Sequence, residues 1–168
     1  MPTRTIGALT ATCLCLLLVG CGGKSDKKTA GVGDGFATKA LAACRAALTD
    51  KQGWPPFPVT SFNPSKPDPA AFPAVSAWLA KEVAPTFDRW LSALQALGTP
   101  PSSQHDWDAM LAVVKNIDHL NRDQITAANA RDPAAFASAT TALGSAQTDL
   151  VATSQKVGVP ECADVHAA

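Results

Sequence analysis

Proline sets the tightest limit on what this chain can form. Thirteen prolines occur in 168 residues, and Pro55, Pro56, Pro58, Pro64, Pro67 and Pro69 crowd into residues 52–72. Proline lacks an amide hydrogen and its ring strikes the preceding helical turn, so this density excludes both a helix interior and a central strand there. The other prolines punctuate. Asp68-Pro69 and Asp132-Pro133 each put a capping carboxylate before a residue whose φ is already helical. Gly98 before Pro100-Pro101, and Gly158 before Pro160, are stop signals.

Between these marks the apolar residues recur at helical spacing. A first, short helix is predicted over residues 36–48, with Phe36, Ala40, Leu41, Cys44, Ala47 and Leu48 on one side. A second starts at Asp68-Pro69 and carries Val75, Leu79, Val83, Phe87, Trp90, Leu94 and Leu97, with Pro85 expected to kink it near residues 81–85. A third follows Ser102-Ser103, where Ser103 and Asp106 resemble a capping box. Its stripe is Trp107, Leu111, Val114, Ile117 and Ala128, with Met110 and Ile125 beside it, and it ends near Ala130. The fourth begins at Pro133, with Phe136, Thr140, Leu143, Ala146, Leu150, Thr153 and Val157 facing inward. Long helices joined by short turns pack antiparallel. The expected fold is all-α: an antiparallel helical bundle of three long helices plus a short N-terminal helix, with a proline-rich crossover. Trp54, Phe57 and Phe62 sit among the prolines and would be exposed in a loose linker, so the crossover is expected to be pinned across the bundle.

The first residues address the compartment. Arg4 is the only charge before Lys24, and an apolar run from Leu14 to Val19 follows it. This is the layout of a secretory signal, and the run is too short to span a membrane comfortably. It closes in Leu18-Val19-Gly20-Cys21, which resembles the bacterial lipobox. That resemblance implies cleavage before Cys21 and diacylglycerol on its sulfur, with an N-acyl lipid as a further modification. The implied layout is a signal peptide over 1–20, a lipidated flexible tether over 21–35 and a single helical-bundle domain over 36–168. The tether is rich in glycine and lysine and too polar to fold alone. The alanine-rich helices, the Asp132–Phe136 helix start and the closing Gly158-Val159-Pro160-Glu161-Cys162 resemble small helical lipoproteins of high-GC bacteria such as actinobacteria. This implies a fold and a place in the cell envelope, on the extracytoplasmic side of a membrane, and no activity. That membrane is the plasma membrane or, in a two-membrane bacterium, the outer one, because Gly22 is not the aspartate associated with inner-membrane retention.

Five cysteines are present. Cys13 and Cys15 leave with the signal and Cys21 takes the lipid, so Cys44 and Cys162 remain in an oxidising compartment, where a pair is most simply a disulfide. For the sulfurs to meet, the first helix must lie against the Trp107 end of the bundle. The crossover must then travel along the bundle to the far end.

Few residues suggest reaction chemistry. Fourteen basic side chains balance fourteen acidic ones, which leaves no field to attract nucleic acid. Glu82 and Glu161 are the only glutamates, and neither precedes a histidine by three, so a di-iron bundle fails. Cys-x-x-Cys-His is absent, which excludes covalent haem. His105, Asp106 and Asp108 read as helix-start residues; His119 with Asp123, and Asp118 with Arg122, read as surface pairs. Cys162-x-x-x-His166 resembles half a zinc site whose sulfur the disulfide would consume. Asn121 falls near the inward stripe and is expected to bond Thr140 or Thr141 across the bundle. Four tryptophans remain. Of the aromatics, Trp54 and Trp78, with Phe57 and Phe62, either pack into the core, as such side chains more often do, or rim a ligand groove under the crossover. No catalytic residue, metal site or cofactor is expected. The leading reading is a membrane-anchored, non-catalytic envelope lipoprotein that binds or scaffolds an envelope protein. The alternative is a carrier of a small hydrophobic ligand held between bundle and crossover.

Overall fold

The computed structural model describes residues 31–166; the expected signal peptide, the Cys21 lipidation site and the tether up to residue 30 lie outside them. The described chain is all-α. Helix α1 spans Asp34–Gln52, α2 Phe72–Trp78, α3 Ala84–Gln95, α4 Gln104–Asn129 and α5 Pro133–Val157. A 3-10 turn at Pro69–Ala71 precedes α2, a π-helical turn at Leu79–Val83 joins α2 to α3, and a 3-10 turn at Pro160–Val165 closes the domain.

Both Asp-Pro starts work as capping chemistry requires. Asp68 Oδ1 accepts the Ala70 N–H at 2.9 Å, and Asp132 Oδ1 accepts those of Ala134 and Ala135 at 3.0 Å each. Ser103 does not act this way: its backbone is left-handed (φ 55°), and its side chain does not cap α4. Pro85 has no N–H to give the Lys81 carbonyl and its ring would strike that oxygen. The helix widens by one residue just upstream, where the Ala84 N–H reaches back five residues to the Leu79 carbonyl. The break expected near residues 81–85 therefore divides the second predicted helix into α2 and α3.

The folded domain begins earlier than residue 36. Val32 is fully buried and its N–H meets the Val157 carbonyl at 3.4 Å, while Ser102 Oγ donates to the Gly31 carbonyl at 2.6 Å. Residues 31–35 thus belong to the bundle, not to the tether. Burying one valine outweighs the polar neighbours, and Gly33 supplies the turn into α1: its φ is 89°, and a Cβ there would stand 3.0 Å from Pro101.

Helices α4 and α5 form an antiparallel pair, and α1 packs on α3 and on the C-terminal turn. Phe36, at the start of α1, meets Trp107 edge-on at 4.8 Å, which sets α1 at the Trp107 end. After Gly158 (φ 79°) the chain reverses and returns along α5, where Gln147 Nε2 donates to the Ala163 carbonyl at 3.0 Å. This return carries Cys162 to Cys44. The two form a disulfide with alpha-carbons 5.0 Å apart, and Trp90 Nε1 donates to Cys44 Sγ at 3.4 Å. Outside it, Arg45 grips Glu161 through two hydrogen bonds of 2.8 and 3.0 Å. The pair raises the Arg45 pKa and holds the Glu161 carboxyl below its usual range. Trp90, Leu94, Trp107 and Val157 are all at most 1 % exposed, so the disulfide closes over a dry cluster.

Candidate functional site

The opposite end of the molecule is packed differently. From the end of α1 the crossover runs over residues 53–68 toward the start of α2, and two indole hydrogen bonds hold it down. Trp54 Nε1 donates to Thr86 Oγ1 and Trp78 Nε1 to the Pro55 carbonyl, both at 3.2 Å. The four expected groove residues are brought together. Trp54 meets Trp78 at 5.3 Å between ring centroids, Trp78 meets Phe57 at 5.2 Å, and Phe57 meets Phe62 at 5.5 Å. Phe62 then meets Phe136 of α5 at 5.5 Å. Edge-to-face contacts of this kind add stability beyond their burial.

Beneath this aromatic run lie two cavities. One, of about 310 Å³, is lined by Lys51, Trp54, Trp78, Leu79, Val83, Phe87, Asn121, Gln124, Val165 and His166. The other, of about 290 Å³, lies under Phe57, Phe62 and Pro64 and reaches Val75, Leu79, Gln124 and Phe136. Leu79 and Gln124 line both, so the two adjoin across these side chains and together make up the cleft under the crossover. Leu79 opens the π-helical turn, a feature often found at functional sites.

The polar lining has three parts. Asn121 is buried, yet its Nδ2 has no hydrogen-bond partner. The expected bond to Thr140 or Thr141 is not made by Asn121. Gln124, one turn further along the same stripe, donates to Thr140 Oγ1 at 2.8 Å instead. His166 comes from the C-terminal turn, with Nδ1 2.7 Å from Gln147 Oε1. The Gln147 nitrogen is committed to the Ala163 carbonyl, so its oxygen faces the ring and Nδ1 carries the hydrogen. Burial, and then the Lys51 charge, push the His166 pKa down to about 4, so the ring is neutral at pH 7. Burial also lowers the Lys51 pKa, while nearby Asp164 raises it.

Gln124, Lys51 and His166 were not recognised as site residues from the sequence. Gln124 carried a signal, because it continues the 107, 110, 114, 117, 121 stripe as a second amide. His166 was noticed only for its spacing from Cys162. His119 pairs with Asp123 at 3.5 Å on the surface, as expected. Asp118, which meets Arg122 at 3.2 Å, is instead largely buried, and its Oδ1 has no partner; Arg122 is also bonded to Asp88. His105 is exposed and 4.0 Å from Asp106. Among the described residues no group of three or more His, Cys, Asp and Glu could hold a metal ion, and no helix is long and apolar enough to cross a membrane. A separate groove of about 440 Å³ between α4 and α5 is walled mainly by alanines, without an aromatic wall or an unpartnered buried polar atom.

No protein-family profile matches this chain, and no curated protein or solved structure is significantly similar to it.

Proposed function

We propose that this chain is a lipid-anchored envelope protein whose helical domain binds a small, largely apolar ligand in the cleft under the crossover, as a carrier and without catalysis. The observation that carries the reading is the cleft: an apolar, aromatic-walled opening with a few convergent polar groups, the usual make-up of a small-molecule site. A scaffold for another protein would more naturally present a broad apolar face. Among the described residues the exposed large hydrophobic side chains are Phe57 and Val151, each 38 % exposed, and Phe57 is part of the cleft wall.

The anchor rests on the Leu18-Val19-Gly20-Cys21 lipobox resemblance. Two acyl chains suffice for stable attachment at about 0.8 kcal/mol per buried methylene. The reading predicts that the full chain, expressed in a bacterium and gently extracted, carries a small-molecule adduct in native mass spectrometry. Trp54→Ala with Trp78→Ala should remove the adduct, and Cys21→Ala should release the protein from membranes. A bare mass with a co-purifying protein would overturn the carrier reading in favour of the scaffold. Full membrane retention of Cys21→Ala would overturn the anchor.

A further inference from the structure

We infer that the inner wall of the cleft reads an amide-type edge: it takes a neutral, planar ligand presenting a hydrogen-bond donor beside an acceptor, as in a carboxamide, a lactam or a pyrimidine-like ring, with Asn121 as its partner. The inference rests on the ligand-binding reading above and names the ligand class.

The first ground is the position of Asn121. The buried face of α4 runs Trp107, Met110, Val114, Ile117, Asn121, Gln124, Ala128. Any apolar residue at 121 would continue it. The chain instead holds a carboxamide there, 4 % exposed, with Nδ2 partnerless and the side chain on the wall of the cleft. Among the described residues three buried side-chain atoms lack a partner, Trp107 Nε1, Asp118 Oδ1 and Asn121 Nδ2. Of these only Asn121 Nδ2 stands on the wall of the cleft, where a ligand could supply what the chain does not. A carboxamide offers one donating and one accepting side, and the group that satisfies both at once is another amide edge.

The second ground is the surroundings. No carboxylate lines this part of the cleft, so a cationic ligand finds no counter-charge. The charge of Lys51 is answered by Asp164. The His166 ring is neutral, with Nδ1–H given to Gln147, which makes Nε2 an acceptor. The Gln124 nitrogen is held by Thr140. The lining is therefore set to hydrogen-bond neutral groups. Trp54 and Trp78 have their own N–H groups engaged, so they offer ring surface to a flat apolar body.

Four probes of one shape test this: benzamide, benzoate, benzylamine and toluene, titrated into the wild-type protein with the Trp54 and Trp78 indole N–H signals followed by NMR. Benzamide should bind about tenfold or more tightly than each of the others, because a site built to hydrogen-bond its ligand rejects analogues that leave its polar groups unpaired. Only benzamide should move the Asn121 side-chain NH₂ resonances, a readout that needs no mutation. Asn121→Leu, checked for folding by circular dichroism, should abolish the benzamide preference and keep or improve toluene binding. Equal affinity for benzamide and toluene, as when a fixed water already satisfies Asn121, overturns the inference. So does tighter binding of benzoate, or a preference that survives Asn121→Leu. If no probe shifts either tryptophan, the ligand-binding reading fails and this inference falls with it.

Discussion

The two ends of the bundle are built on opposite plans. At the Trp107 end, Val32, Leu94, Trp107 and Val157 are at most 1 % exposed and the Cys44–Cys162 disulfide closes over them, with the Trp107 indole N–H left without a partner. At the crossover end the aromatics touch one another edge to face, span a cleft, and share it with two buried amides and a histidine. A bundle of this size needs one well-sealed cluster to stay folded. Concentrating the seal at one end frees the other to carry polar groups that a packed core would exclude, and the contrast makes the crossover end the place to look for work.

The largest expected effect breaks the closed end. Cys44 and Cys162 are 118 residues apart, and the chain-entropy model gives ~4.7 kcal/mol for a loop of about a hundred residues. Urea unfolding of Cys44→Ser with Cys162→Ser should show a loss of about 4 kcal/mol; a loss under about 1 kcal/mol would mean that packing alone holds the termini.

A second test sets one tryptophan against another. Trp107→Ala should cost about 3–5 kcal/mol, as truncation of a fully buried indole does. Trp78→Ala, in a half-buried ring, should cost less than half of that while removing probe binding. Equal losses would erase the distinction between a sealing end and a binding end.

A third effect is electrostatic and belongs to the open end. His166 has its pKa lowered from 6.5 to about 4. Between those values the unfolded chain takes up a proton that the folded one refuses. The stabilising effect of the neutral ring is therefore fully present above about pH 6.5 and lost as the pH falls toward 4. At 1.36 kcal/mol per unit this amounts to ~3 kcal/mol. The steepness of stability against pH in this window should drop in His166→Gln. An unchanged slope would place the acid sensitivity in the carboxylates, such as Glu161 beside Arg45.

How much of this was legible follows from how local each signal is. The Asp68 and Asp132 caps and the stop at Gly158 depend on neighbours in sequence and stand where the pattern puts them. The α4 and α5 stripes are rotated slightly, with Met110, Ala139 and Ser154 buried where Leu111, Thr140 and Thr153 were expected and are only half-buried. The sequence marked a kink at Pro85 but not the form it takes, a π-helical turn. Val75, Leu79, Val83 and Phe87 recur at steps of four, which in an α-helix drift by roughly 40° each; one widened turn absorbs part of that drift. Val32 was hidden because a single valine among glycines has no periodicity. The Thr140 bond was assigned to Asn121 and belongs to Gln124, because both amides lie on one stripe and only the axial offset of α4 against α5 decides which one reaches the threonine. Lys51 and His166 become neighbours only when the C-terminal turn doubles back, a consequence of long-range packing that no local pattern records.

The C-terminal turn has one more implication. Cys162 and His166 stand on the same short segment, Pro160–Val165 and the residue after it, so the covalent lock and one wall of the cleft are a single mechanical part. Reduction would remove the covalent part of the clamp and leave the Arg45–Glu161 pair and the Gln147 bonds to Ala163 and His166 to hold the segment. Under the proposed carrier reading, oxidation therefore also fixes one wall of the binding site in place.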